Sequence, residues 1–94
     1  MQVSWTPLAI ESYENIIDQL IVDWNIDIIE RFENQVEYLI DRIENHNHIC
    51  PKSNIDNLHK CIINKQSSLI YRVKNNNCTI EIILFVFNKS EHIF

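Results

Sequence analysis

The stretch ENHNHICPK, residues 44 to 52, sets two histidines and a cysteine at alternate positions, and HKC at residues 59 to 61 brings the same residue types together again. Thiolate and imidazole are the donors that zinc takes in tetrahedral sites. His46, His48, Cys50, His59 and Cys61 are therefore numerous enough to hold one ion. The spacing opposes that use. Structural zinc sites pair their ligands roughly two to four residues apart around a tight knuckle, and this chain has no CxxC, no HxxxH and no glycine. An extended chain would put His46, His48 and Cys50 on one side, but Pro51 and a nearby helix end interfere with that geometry. The simpler reading places His46 and His48 at a helix C-terminus, where cationic side chains meet the negative end of the dipole. Cys61 is then a small apolar strand residue. A cysteine–histidine dyad for nucleophilic catalysis finds no support in the local sequence. No metal ligand and no cofactor are expected.

The elements that position these residues are bounded by composition. A chain of 94 residues is one domain, 1–94, near the small end of what buries an adequate core. Its 46% apolar content suits a globular chain. With eight Lys and Arg against thirteen Asp and Glu, a net charge of -5 disfavours direct gripping of phosphate backbones, a local basic site aside. Three cysteines, Cys50, Cys61 and Cys78, are an odd count, and no charged-then-apolar leader precedes MQVSWTP. A cytoplasmic chain with reduced thiols is the expectation. No apolar run approaches the ~20 residues that cross a bilayer. CTIEIILFVF is the longest, and it carries Glu81. Without glycine, any turn needing positive φ falls to Asn or Asp.

MQVSW alternates and ends at TP, which predicts a short first strand. Thr6 suits an N-cap and Pro7 the first helical position. From Pro7 to about Asp23, Leu8, Tyr13, Ile16, Ile17 and Leu20 recur at helical spacing. The period breaks near Asp23 to Asn25, and Asn25 can cap a second helix. There Ile28, Ile29, Phe32, Val36, Leu39, Ile40 and Ile43 form an apolar stripe opposite a charged face. Two helices joined so tightly form a hairpin. HNHICPKSNIDN reads as a loop. LHKCIIN, SSLIYRVK and CTIEIILFVF then read as strands separated by NKQ and NNN, with Asn75 to Asn77 supplying a hairpin turn. The order β-α-α-β-β-β predicts an α+β domain with the helical hairpin on one face of a small antiparallel sheet. The last strand is apolar on both sides, so it is central or has its second face covered. Trp5 and Trp24 read as core or hairpin-end residues.

Three of these segments together resemble the RelE/ParE superfamily of toxins from type II toxin-antitoxin systems, and more closely its ParE-like branch. VSWTPLAIESYENIIDQL is similar to that family's first strand, its Trp-Thr/Ser-Pro-x-Ala entry and its first helix. WNIDIIERFENQVEYLIDRIEN resembles the second helix, and LHKCIINKQSSLIYRVKNNNCTIEIILFVF the three-strand meander with its LIYRV strand. The resemblance spans residues 2 to 87. It implies a toxin neutralised by a cognate antitoxin. In the ParE branch the usual target is DNA gyrase and no nuclease chemistry is needed. In the RelE branch the toxin cleaves mRNA in the ribosome with basic and aromatic residues.

RNA cleavage without metal needs a group to activate the 2′-hydroxyl and cations to offset phosphate charge. Lys65 and Lys60 are the lysines near the strand that would carry them, and the Arg of such nucleases falls at Ser68. After the last strand, ParE-like members commonly read acidic, Arg, polar, Pro, where this chain has FNKSEH. Lys89 is the nearest cation and His92 a possible acid or base. Arg72, Lys89, His92 and Lys65 are thus the candidates for any catalytic role. The departures favour an inhibitor that binds gyrase, with a RelE-type endonuclease or a non-toxic interaction module as the alternatives.

The two-residue period of strands turns Leu69, Tyr71 and Val73 toward the helices and Ile70, Arg72 and Lys74 away from them. Arg72 is then either a solvated strand residue or part of a partner-facing site. In the last strand Ile83, Phe85 and Phe87 share one face and Ile82, Leu84 and Val86 the other. A two-layer fold leaves one of these rows for a partner, an antitoxin segment or a second copy in a homodimer. Ile70, Arg72, Ile83, Phe85 and Phe87 are the expected partner-binding set.

Overall fold

The computed structural model describes residues 2–23, 26–54, 57–74 and 79–88. The elements follow the expected order: β1 (Gln2–Trp5), α1 (Pro7–Asp23), α2 (Ile26–Asn45), β2 (Leu58–Asn64), β3 (Ser67–Lys74) and β4 (Thr79–Phe87). Thr6 starts α1 as an N-cap, its hydroxyl accepting the Ala9 N–H at 2.9 Å. In α2 the buried positions Ile29, Phe32, Val36 and Ile43 form the stripe that the helical period predicts. The helix ends at Asn45, and the His46 N–H still donates to the Arg42 carbonyl at 2.9 Å. Asn57 takes the one positive φ among the described residues, 58°, as a glycine-free chain requires. Trp24, Asn25 and the turn at Asn75 to Asn77 lie outside the described residues.

The sheet order is β1-β4-β3-β2, so the apolar last strand is central. β2, β3 and β4 form an antiparallel meander, but β1 pairs with β4 in parallel, Val3 opposite Ile80 and Trp5 opposite Ile82. The sheet is therefore mixed rather than wholly antiparallel. A parallel pair needs a long crossover, and everything from α1 to β3 supplies it. Both helices cover one face. Between them and the sheet lie Ala9, Ile16, Leu20, Phe32, Val36 and Ile43 on the helix side and Leu69, Tyr71, Ile80, Ile82 and Phe85 on the strand side. One end of this core is aromatic: the Tyr13 ring lies 5.4 Å from Trp5, 5.6 Å from Phe32 and 5.1 Å from Phe85. Burial, followed by the nearby Glu33 and Glu37 carboxylates, raises the Tyr13 phenol above its ordinary value.

A bulge sets the phase of β4. Ile70 faces Leu84 and Tyr71 faces Ile82, which leaves Ile83 as the extra residue. A bulge strands backbone groups that the ladder would have paired, and α1 answers them. The Thr6 hydroxyl donates to the Ile83 carbonyl at 2.6 Å, and the Phe85 N–H donates to the Ser12 hydroxyl at 2.9 Å. The Ser12 hydroxyl in turn donates to the Ala9 carbonyl at 3.2 Å. The bulge also reverses the alternation. Ile80 and Ile82 face the helices before it, and so does Phe85 after it.

Candidate functional site

Several of the histidines and cysteines of residues 46–61 fasten the loop after α2 to β2. Among the described residues no group of three or more His, Cys, Asp or Glu is placed to hold a metal. Cys50 and Cys61 are joined as a disulfide with Cα atoms 5.3 Å apart, which corrects the expectation of reduced thiols at these two positions. The bond is within reach because the loop after α2 folds back along β2. His59, 4% exposed, turns inward beside Cys61 and bonds the Cys50 carbonyl through Nδ1 at 2.8 Å. Its ring stacks on Tyr71 at 4.8 Å, and the His48 ring lies 5.6 Å away. The Tyr71 hydroxyl donates to the Asn47 carbonyl at 2.9 Å. Burial raises the Tyr71 phenol above its ordinary value, against a smaller opposing effect of hydrogen bonding to the loop backbone.

The open face of the sheet is the better candidate. Register places Leu58, Lys60 and Ile62 of β2 beside Arg72, Ile70 and Ser68 of β3. Across β3 lie Glu81, Leu84 and Val86 of β4. Three of the chain's eight cations, Lys60, Arg72 and Lys74, thus ring an apolar centre. Ile62 is 75% exposed. Glu81 is held by Lys74 at 3.6 Å, a pair too exposed to contribute much. Arg72 is half-buried between these strands, and its Nε is buried with no hydrogen-bond partner. A guanidinium is a donor-only group suited to carboxylate or phosphate. A face with this pattern can dock an acidic, partly apolar partner.

Of the expected partner-binding residues, Ile70 and Arg72 stand on this face. Phe85 and Phe87 do not. The bulge at Ile83 turns Phe85 into the core at 3% exposure, against Trp5 and Tyr13, and packs Phe87 against the same cluster. Ile83 itself is the bulged residue, its carbonyl held by Thr6. The row left outward is Leu84 and Val86. Strand alternation alone carries no sign of a bulge, so the sequence could not give this phase.

Lys65 sits apart from Arg72. It occupies the β2–β3 turn, where the Asn64 side-chain oxygen accepts from the Gln66 N–H and the Ser67 hydroxyl, each at 2.9 Å. From Ser67 to Arg72 the strand runs roughly 17 Å at extended rise. The structure therefore does not gather Lys65 and Arg72 into one constellation. Lys65 instead lines a cleft of about 300 Å³ with Arg31, over the apolar Leu20, Ile28, Phe32 and Phe87. Arg31 was not singled out by sequence, because it is one charge on the undifferentiated polar face of an amphipathic helix. Lys89 and His92 lie outside the described residues.

Residues 3–93 match the sequence profile of the family described as "ParE toxin of type II toxin-antitoxin system, parDE". No curated protein sequence matches the chain. Among solved structures, the chain is similar to the chromosomal ParDE TA system from P. aeruginosa, with a TM-score of 0.77 at 16% identity over 95% of this chain and 97% of that one. It is also similar to the YoeB/ParE toxin from Agrobacterium tumefaciens, with a TM-score of 0.66 at 15% identity over 93% and 98% of the two chains. The intact E. coli RelBE toxin-antitoxin complex is similar with a TM-score of 0.63, 10% identity, and coverage of 92% and 94%. Likeness at such identities establishes a shared fold and leaves function to the site.

Proposed function

The chain belongs to the ParE toxin family of type II toxin-antitoxin systems, and from that premise we propose that it inhibits growth by binding a replication target, DNA gyrase, and is neutralised by a cognate antitoxin. The observation that carries the reading is the open face of the sheet. It offers Lys60, Arg72 and Lys74 around Ile70 and Leu84. Such a surface suits a protein partner with carboxylates and apolar side chains. Likeness to the ParDE TA system from P. aeruginosa and to the E. coli RelBE toxin-antitoxin complex supports an antitoxin as partner. We place the chain in the cytoplasm, where gyrase and the antitoxin are found. No helix of the described residues is long and apolar enough to cross a membrane.

The resemblance of the sequence to the RelE branch carries a second reading, ribosome-dependent cleavage of mRNA. Growth is measured after tightly induced expression in a bacterial host, with and without the adjacent open reading frame. Arrest relieved by the neighbour, with gyrase supercoiling blocked and transcripts intact, is the expected result. Arrest with cleaved transcripts, lost in Arg72→Ala, would favour the endonuclease. Soluble folded protein that never arrests growth would leave a non-toxic interaction module.

A further inference from the structure

We infer that the Cys50–Cys61 disulfide is a thiol-exchange site, at which a dithiol reductant releases residues 51–53 from the outer edge of β2. The inference stands apart from the proposed target, because it rests only on how that edge is covered. β2 is last in the sheet, so its outer backbone groups have no neighbouring strand within the meander. The chain covers them itself. The Lys60 N–H donates to the Pro51 carbonyl at 3.2 Å, the Ser53 N–H donates to the Leu58 carbonyl at 2.6 Å, and Lys52 bridges His59 in antiparallel sense. Pro51, Lys52 and Ser53 are exposed, so almost no apolar burial holds this short strand in place. So short an exposed pairing is marginal alone. The disulfide lies at its end and fixes Cys50 against Cys61.

The two cysteines differ in exposure. Cys61 is 1% exposed beneath the sheet, whereas Cys50 is half-buried in the loop. A thiolate of the reductant therefore attacks Cys50 Sγ. The S–S bond breaks, and its electron pair and one proton go to Cys61 Sγ. The second thiol of the reductant then attacks the mixed disulfide. Cys50 leaves as a thiol with the second proton, and the reductant departs as its own disulfide. Two further ties hold the loop through this change, the Tyr71 hydroxyl on Asn47 and His59 on Cys50. Reduction thus frays residues 51–53 without unfolding the domain. The Lys60 N–H and Leu58 carbonyl are left unpaired on an extended edge, the geometry that accepts another strand.

Air-oxidised protein is alkylated in denaturant before and after dithiothreitol, and backbone hydrogen exchange is followed under the same two conditions. One alkylated cysteine, Cys78, is expected before reduction and three after it. Exchange of the Lys60 and Ser53 amides should accelerate at least tenfold on reduction, while the Leu69 and Tyr71 amides in β3 stay protected. Cys50→Ser should show fast Lys60 exchange in both conditions. Three alkylated cysteines in the oxidised sample would overturn the inference. So would unchanged Lys60 protection after reduction. Loss of protection throughout β3 would also overturn it, making the bond a staple of the whole fold.

Discussion

The two faces of the sheet are built from the same strands and treated in opposite ways. In the layer between helices and sheet most polar groups have an answer, the buried Gln19 Oε1 of α1 excepted. The bulged backbone of β4 meets Thr6 and Ser12, His59 meets the Cys50 carbonyl, and Tyr71 reaches Asn47. On the outer face Arg72 Nε is buried without a partner, and Ile62 stands 75% in solvent. Stability is concentrated on the inner face and unspent binding capacity on the outer one. Neighbouring residues in one strand should therefore differ sharply when mutated, and that difference can be measured.

The largest contrast lies within β4. Phe85→Ala removes a side chain that is 3% exposed and touches Trp5 and Tyr13, so it should destabilise the domain by about 3–5 kcal/mol in urea unfolding. Leu84→Ala, one residue away, acts on a half-buried side chain outside the core cluster. It should cost about 1 kcal/mol or less, a methylene or so of burial. Equal losses in the two variants would mean that the bulge does not set the faces as described.

Ser12→Ala tests the bulge directly. The Phe85 N–H loses its acceptor, and an orphaned buried donor costs about 1–3 kcal/mol. A loss of a few tenths of a kcal/mol would show that water replaces the hydroxyl there. The same pair of residues marks the limit of what the sequence conveys. Thr6 and Pro7 announce the helix start, the 3.6-residue stripe announces α2, and two-residue alternation puts Leu69 and Tyr71 inward. These signals are local. The hydroxyls that receive the bulge are 77 and 73 residues away from their partners, and no period in β4 betrays them. The fold was therefore legible nearly throughout, whereas the outward row of β4 was not. The disulfide was hidden for a similar reason: an odd cysteine count suggests thiols, and only the return of the loop along β2 brings Cys50 to Cys61.

Tyr71 gives a smaller effect with a definite pH signature. Its pKa is raised above 10.0 in the folded chain, chiefly by burial. The unfolded chain then loses its phenolic proton first as pH rises, so the folded state binds more protons and stability falls with pH. The contribution is fully present below pH 10.0 and is lost above it, through the folded pKa. Tyr71→Phe should flatten that alkaline decline. At neutral pH it should cost about 1 kcal/mol for the lost hydrogen bond to Asn47. An alkaline limb of unchanged slope would assign the decline to Tyr13, whose phenol is raised as well.

Arg72→Leu should have the smallest effect on stability and the largest on activity. The wild-type Nε is desolvated without a compensating bond, and a shorter apolar side chain still covers the position that faces Leu58 and Glu81 in the register. Removing an unsatisfied donor can be neutral or stabilising, so the change should stay within about 0.5 kcal/mol of wild type. Growth arrest, by contrast, should weaken if the proposed partner meets this guanidinium on the open face. Inner-face variants lower toxicity only by lowering the amount of folded protein, which a thermal melt detects. A melted Arg72→Leu would return this residue to the structural side of the comparison. A stable and fully toxic one would move the site to the cleft of Lys65 and Arg31, another place where cations stand over apolar side chains.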